Sequence, residues 1–191
     1  MLVKITLKSD AIFGNGQSIP GAEDISVLTD EYGFVYYKGS SLKGLFREAM
    51  ENLLLWKGKS KQDSRYELIR LLGVSDNNGQ DYDKLTFSDF HISKEIRDAI
   101  LNEYDEKILF NKQEVIDSQT YLRTLTSVDE DGIAKKGSLR MIRCIRQGMV
   151  FYGEITCKEE DKEFVLEVLQ SIKYIGSLRN RGFGRVNIEE V

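Results

Sequence analysis

The chain has 191 residues, of which 41% are hydrophobic and 30% are charged. At about 150 residues per domain this length fits one domain, and the apolar fraction suffices for a folded core and excludes a disordered chain. The formal charge of −4 argues against a freestanding, strongly basic nucleic-acid-binding protein. Because no run of about 18 apolar residues occurs, we expect no transmembrane helix.

The N-terminus and the cysteines bear on where the protein works. Residues 1–7 alternate like a strand and lack the long apolar core of a signal peptide. Cys144 and Cys157 are too few for a disulfide framework or a zinc site. We therefore expect a reducing, cytoplasmic location.

The first half of the chain alternates between strand, loop and helix patterns. The predicted elements are a strand over 3–7, a loop over 9–31, a short strand over 34–37, a helix over 41–56 and a helix over 64–72. The helix over 41–56 is the clearest, because its apolar residues recur three and four positions apart. We expect Ser40 or Ser41 to cap it by accepting hydrogen bonds from first-turn amides.

The second half contains more strands. The predicted elements are a strand over 85–92, a helix over 94–101, strands over 139–144 and 149–157, a helix over 161–174 and a strand over 185–190. Gln147-Gly148 predicts that the strands on either side of it form a hairpin. The whole order predicts an α+β, ferredoxin-like domain with insertions.

Charge is distributed unevenly along the chain. Basic residues exceed acidic ones in 38–75, 118–158 and 173–191, whereas 76–117 and 159–172 are acidic. Charge alone favours ordinary surface patterning. The other interpretation is that the basic segments converge in space and hold a polyanion, because phosphate contacts are local at physiological ionic strength.

Residues 38–47 (KGSSLKGLFR) form the first candidate anion site. A glycine and two hydroxyls come before a helix, whose free amides and dipole favour an anion. Lys43 and Arg47 are four residues apart and therefore share a helix face. The spacing alone is better explained by a capped helix with a solvated basic face, and it is not a P-loop.

Two further segments carry clustered basic residues. Between Gly176 and Arg185, three arginines occur among three glycines, which suits either RNA phosphate contact or a solvated turn, while Phe183 either stacks or packs. Between residues 118 and 154, Asp-Gly and Lys-Lys-Gly sequences predict a long projecting hairpin. Such an arm reaches a neighbouring subunit or a nucleic-acid duplex, or is only a mobile surface loop.

Two single residues are weaker candidates for chemistry. His91, the one histidine, cannot build a multi-histidine metal site and is expected to pack or hydrogen-bond. A serine hydrolase is disfavoured because the Gly-x-Ser-x-Gly elbow is absent. Asp24 lies beside Glu23 in the glycine-broken loop, although an acidic loop residue taken by itself is usually solvated.

These segments together resemble the RAMP superfamily of CRISPR-associated proteins. Residues 38–47 are similar to the family's Pro-Gly-Ser-Ser-Leu-Lys-Gly-x-x-Arg signature, with Lys38 in place of the proline, and 179–185 (RNRGFGR) are similar to its C-terminal glycine-rich loop. Residues 85–89 and 123–151 resemble the middle of the repeated backbone subunit of type III effector complexes.

The resemblance implies an RRM-like (ferredoxin-like) palm with an inserted β-hairpin thumb around 118–148, in one domain spanning 1–191. Its implied partners are CRISPR RNA, complementary target RNA, other RAMP subunits and further copies of the chain, with no membrane. The RNA-binding candidates are Ser40, Ser41, Lys43, Arg47, Lys135, Lys136, Arg140, Arg179, Arg181 and Arg185.

In cleaving members of the family, a loop aspartate cuts the bound target RNA with a divalent ion. Asp24 lies 15 positions before Gly39 and resembles that aspartate, with Glu23 and Asp30 as fallback candidates and Mg²⁺ as the expected ion. The alternatives are a catalytically silent structural subunit, a guide-RNA-processing endonuclease, which His91 supports poorly, and a small-molecule-binding ferredoxin-like module.

Overall fold

The structure is a computed structural model that describes residues 1–18, 23–73, 84–105, 111–127 and 129–191. Its strands are β1 (Leu2–Leu7), β2 (Tyr36–Tyr37), β3 (Thr86–Phe87), β4 (Phe90–His91), β5 (Thr120–Leu125), β6 (Arg140–Ile145), β7 (Val150–Thr156) and β8 (Val186–Glu190). Its α-helices are α1 (Gly39–Trp56), α2 (Lys61–Leu72), α3 (Lys94–Asp105), α4 (Lys112–Gln119) and α5 (Lys162–Ser171). No helix within these ranges is long and apolar enough to cross a membrane.

The main sheet is antiparallel and has the strand order β2-β4-β7-β1-β8, with β3 paired to β7. Ile5 on β1 lies opposite Phe151 on β7 and Ile188 on β8. Because side chains alternate along a strand, these residues share one face. They are fully or nearly fully buried in one cluster with apolar residues of α1 and α5. The prediction of a fold that mixes helices and strands is confirmed, and the sheet is antiparallel.

A second, two-stranded sheet stands beside the first. β5 and β6 pair in antiparallel register from Thr120 opposite Ile145 to Leu125 opposite Arg140, inside the segment where we expected a projecting hairpin. The other edge of β6 makes an antiparallel bridge at Ala11 and a parallel bridge at Ile25. The loop over 9–31 is therefore tied to the hairpin.

The predicted hairpin around Gln147-Gly148 is wrong. β6 pairs with β5, and β7 pairs with β1, β3 and β4. The Gln147 amide donates to Asp10 Oδ1 at 3.0 Å, and the Gly148 amide donates to the Leu7 carbonyl at 3.0 Å. The turn is thus held by the end of β1, and it passes the chain from one sheet to the other.

Other element boundaries differ from the sequence predictions. The strand over 85–92 is split into β3 and β4 at Ser88 and Asp89, where the Asp89 carboxylate accepts the Gly39 amide of α1. The last helix ends at Ser171, well before Tyr174, which bridges to Arg185 instead. Helix α4 was not predicted, since few of its residues are apolar.

Candidate nucleic-acid interface

Helix α1 begins two residues earlier than predicted, and its expected cap is wrong. The helix starts at Gly39, so Ser40 and Ser41 lie in its first turn with exposed side chains, and neither caps it. Asp89 replaces the cap, since its Oδ1 accepts the Gly39 amide at 2.8 Å. The two serine hydroxyls are consequently free of a capping role at the positive end of the helix.

The two glycines of the 38–47 segment have different roles. A Cβ at Gly39 would lie 2.3 Å from the Ser88 carbonyl oxygen and 2.4 Å from that of Phe87, so close packing requires this glycine. Around Gly44 nothing lies within 4 Å of a built Cβ. Glycine in an open helix position lowers the stability of the fold by about 0.5–1 kcal/mol relative to alanine. No packing contact around Gly44 in the described part of the chain offsets this loss. An exposed stretch of bare backbone therefore lies one turn after Ser40 and Ser41.

The glycine- and arginine-rich segment meets the start of α1 across a polar cavity of about 260 Å³. Lys38 and Ser41 line it from the helix, and Ser177 and Arg179 line it from the loop. Burial raises the pKa of Tyr37, a further lining residue, to about 12, so its hydroxyl stays neutral. The structure therefore brings Ser41 and Arg179 together, although they are 138 positions apart in sequence.

Close backbone packing fixes this loop. Gly184 has φ +74° and leaves a built Cβ only 1.8 Å from the Ile175 carbonyl oxygen, and Gly176 has φ +78° and packs on the Ile12 carbonyl. Between them, Leu178 adopts φ 55°, the one positive φ at a non-glycine residue in the described part of the chain. Such strain persists only where the surroundings enforce it. The loop thus presents Arg179 and Arg181 from a rigid base.

All three arginines of this loop are exposed, but they do not form one cluster. Arg179 and Arg181 line a shallow surface hollow together, whereas Arg185 bridges to Tyr174 near the start of β8. None of the three pairs with a carboxylate among the described residues. Phe183 is 3% exposed, so it packs, with the Arg123 guanidinium 5.0 Å from its ring centre.

Lys43 and Arg47 lie on the other flank of α1, away from Ser41. Lys43 is half-buried, and its Nζ is 3.5 Å from the Leu85 carbonyl. Burial, followed by repulsion from Arg47 and Lys84, lowers the pKa of Lys43. An anion bound here would relieve that repulsion. Lys84 was missed by the sequence analysis, since only the fold brings it to α1.

Lys135, Lys136 and Arg140 lie on the β5–β6 hairpin with exposed side chains. Lys135 and Lys136 are in its loop, which Ser138 and Ser127 close by backbone and hydroxyl bonds. Arg140 begins β6, opposite Leu125. Among the described residues, no hydrogen bond or ion pair joins these cations to α1, so the hairpin offers a separate basic face.

Asp24 lies at the edge of β6, beside Met141, which follows Arg140 in the strand. Its amide donates to the Met141 carbonyl at 2.7 Å, and its Oδ2 accepts the Met141 amide at 2.7 Å. No described residue donates to Oδ1, and the side chain is exposed. One carboxylate oxygen is therefore anchored, and the other faces solvent.

The fallback acids and His91 are occupied elsewhere. Glu23 is 6% exposed and forms an ion pair with Arg143, and Asp30 pairs with Arg97 at 2.7 Å. His91 stacks on Tyr36, with ring centres 5.3 Å apart. Of these residues and Asp24, only Asp24 offers an exposed carboxylate oxygen. Arg143 carried no signal in the sequence, because its partners are distant along the chain.

A divalent ion would find few ligands here. No group of three or more His, Cys, Asp or Glu side chains suited to a metal occurs within the described ranges. Mg²⁺ is commonly held by one or two carboxylates together with substrate phosphates and water. Asp24 Oδ1 fits such a shared site, in which the chain itself supplies a single ligand.

A profile of the RAMP superfamily matches residues 4–187. The chain belongs to the RAMP superfamily. The resemblance drawn from residues 38–47 and 179–185 is therefore confirmed.

Individual relatives agree with this assignment. The chain is 25% identical over 189 residues to the CRISPR system Cms endoribonuclease Csm3 of Methanocaldococcus jannaschii. This alignment covers 90% of this chain and 69% of that protein. The fold is similar to chains in two cryo-EM structures of type III-B Cmr-beta, one bound to cognate target RNA and one in the apo state. Both have a TM-score of 0.66 and cover 98% of this chain and 95% of the other, at 16% and 15% identity.

Proposed function

We propose that this RAMP chain is a CRISPR RNA-binding backbone subunit of a type III interference complex and that it cleaves bound target RNA. The observation that carries the binding half is the polar cavity in which Ser41 and Arg179 meet at the positive end of α1. Support for the cleavage half comes from the similarity to an endoribonuclease and from the exposed oxygen of Asp24.

The strand order supports the finer fold assignment. β8, β1, β7 and β4 lie side by side, and with α1 and α5 they follow the β-α-β-β-α-β order of a ferredoxin-like unit. In this interpretation the main sheet and its helices are the palm, and β5–β6 is the thumb around 118–148 of a single domain. Other RAMP subunits and copies of this chain are the proposed neighbours, in the cytoplasm.

The chemistry of the proposed RNA surface is phosphate contact. Exposed guanidinium groups without carboxylate partners bind phosphate oxygens in bidentate fashion, and hydroxyls and backbone amides at a helix start add further donors. Such contacts position a nucleic acid without reading its bases. Base pairing between guide and target would then supply the specificity, and Lys135, Lys136 and Arg140 would follow the duplex along the hairpin.

In the proposed cleavage step, the 2′-hydroxyl of the target ribose attacks the adjacent phosphorus. Asp24 Oδ1 takes the hydroxyl proton, the 2′-oxygen–phosphorus bond forms, and the bond to the 5′-oxygen breaks. The 5′-oxygen receives a proton from water, so the products are a 2′,3′-cyclic phosphate and a 5′-hydroxyl. A bound divalent cation would stabilise the charge on the phosphate oxygens.

The test is cleavage of labelled target RNA by the reconstituted guide complex, with Mg²⁺ or with EDTA. We expect evenly spaced cuts with Mg²⁺ only, and none with Asp24→Ala or with a 2′-deoxy nucleotide at the cut site. The matched control is Asp131→Ala. It also removes an exposed aspartate, but one that lies in the loop between β5 and β6. Binding of guide and target without cuts in the wild type would instead identify a silent structural subunit.

A further inference from the structure

A buried ion pair lies immediately before Asp24 in the chain. The Nη2 of Arg143 is 2.5 Å from Glu23 Oε1, and its Nε donates to the same oxygen at 2.7 Å. The second oxygen of Glu23 accepts the Ser26 hydroxyl at 2.8 Å. The side chains of Glu23 and Arg143 are 6% and 8% exposed. Both oxygens of Glu23 are therefore occupied.

Arg143 also joins this segment to two other elements. Its Nη1 donates to Asp117 on α4 at 2.6 Å and to the Thr120 hydroxyl on β5 at 2.9 Å. Burial acts to lower the pKa of Arg143, but the bonds to Glu23 and Asp117 outweigh it and raise the pKa. One charged guanidinium thus links the Asp24 segment, α4 and the hairpin.

The same segment is bonded to β6 on both sides of Asp24. The Arg143 amide donates to the Ile25 carbonyl at 3.0 Å, and Asp24 exchanges bonds with Met141 through its own amide and carboxylate. Arg143 therefore holds this segment through its backbone at Ile25 and through its side chain at Glu23. These contacts restrict how far the Asp24 carboxylate can move.

We propose that Glu23 and Arg143 form a positioning pair that holds the Asp24 carboxylate in place for cleavage, an inference that rests on the proposed function. Desolvating two charges is costly, and a buried ion pair is weak evidence for a stabilising role. Its bonds are directional, however, and a displacement of about 1 Å in a catalytic group lowers a rate about 100-fold. The pair contacts no RNA and acts through Asp24.

The test uses Glu23→Gln in the reconstituted complex. Glutamine keeps the size of the side chain and an oxygen for Arg143, and Arg143 stays paired with Asp117, so the buried guanidinium is not left without a carboxylate. We expect the single-turnover cleavage rate to fall at least tenfold, while the dissociation constants for guide and target stay within twofold. Hydrogen exchange at the amides of Asp24 and Met141 should become faster.

The matched control is Tyr121→Phe. It removes the 2.6 Å bond from the Tyr121 hydroxyl to Asp10, which ties the same hairpin to the end of β1 and involves none of residues 23–26. We expect its cleavage rate to stay within twofold of the wild type. If Glu23→Gln lowers the yield of assembled complex, Ser26→Ala removes only one bond to Glu23 and should lower the rate by a smaller, two- to threefold factor.

Two results would overturn the positioning role: cleavage and binding falling together, or amide exchange at Asp24 and Met141 unchanged. A wild-type complex that binds target without cutting it would refute the cleavage proposal instead. In that case faster exchange in Glu23→Gln would still show that the ion pair holds the segment, so the two failures give different results.

Discussion

The glycine- and arginine-rich loop over 176–185 and the surroundings of Asp24 use arginine in opposite ways. Arg179 and Arg181 are exposed and have no carboxylate partner among the residues described, whereas Arg143 is buried and bonded to two carboxylates. An uncompensated guanidinium can bind an incoming phosphate, but a compensated one can only hold its own neighbours. The exposed arginines are therefore suited to binding RNA, and the buried arginine is suited to holding a reacting group in position.

After the complete loss of cleavage expected for Asp24→Ala, the largest effect is expected from Asp24→Glu, which keeps the charge but moves the carboxylate by one methylene. If placement matters as the Met141 and Arg143 contacts indicate, the single-turnover cleavage rate should fall about 100-fold, because a displacement of about 1 Å costs that much. Target affinity, measured by fluorescence anisotropy, should not change. Equal activity of the two acids would show that placement is unimportant at this segment.

The double variant Arg179→Gln with Arg181→Gln tests the loop over 176–185. We expect guide RNA affinity to fall about tenfold, because two charge-assisted contacts to phosphate are lost. The slope of log K against log salt concentration should become shallower by about 0.7 for each lost contact to single-stranded RNA.

The control for this pair is Lys59→Gln with Lys61→Gln, two exposed lysines of which one lies between α1 and α2 and the other begins α2. At saturating RNA, the cleavage rate of the arginine variant should equal that of the wild type. Equal loss of affinity in the arginine and lysine variants would mean that only net charge matters.

Gly39→Ala and Gly44→Ala compare a packed and an open glycine of the same helix. Gly39→Ala should lower the free energy of unfolding by about 3 kcal/mol, because the new methyl group meets the Ser88 and Phe87 carbonyls. Gly44→Ala should raise it by about 0.5–1 kcal/mol.

If RNA approaches the bare backbone at Gly44, the Gly44→Ala variant should also bind guide RNA several-fold more weakly. Urea unfolding and anisotropy measure the two quantities independently. If Gly44→Ala is stabilised and binds guide RNA as tightly as the wild type, the RNA does not contact this part of α1.

The smallest effect concerns pH and His91. Burial, followed by the charge of Arg97, lowers the pKa of His91 below its usual 6.5 in the folded protein. Between the folded value and about 6.5 the unfolded chain therefore binds more protons, so the free energy of unfolding should rise with pH across this interval. His91→Gln should remove that part of the pH dependence in urea unfolding at pH 5 and pH 7, and an unchanged dependence would contradict it.

The local patterns predicted much of the fold, and the candidate site residues stay predictions. The stripe of Leu42, Phe46 and Met50 specified α1, and the alternation of Val3, Ile5 and Leu7 specified β1, since each period matches one type of element. The RAMP motifs at 38–47 and 179–185 identified the family. Helix α4 was missed because its core contribution depends on Val115 and Gln119, too few residues for a periodic signal.

Contacts between distant residues explain the errors. Gln147-Gly148 has the composition of a hairpin turn, but bonds from Asp10 and Leu7 direct it to a different sheet. Ser40 and Ser41 have the composition of helix caps, but Asp89, about 50 positions away, accepts the first amide. Sequence cannot show such competitors, because they are adjacent only after folding.

The sequence by itself determined the family, most of the helices and strands and the identity of the candidate residues, because these depend on residue type and short spacing. Only the tertiary structure decided that Ser41 meets Arg179 across one cavity, that Glu23 is paired with Arg143, and that Asp24 keeps one oxygen exposed. Each of these depends on residues more than 100 positions apart, which only folding brings to one cavity or within hydrogen-bonding distance.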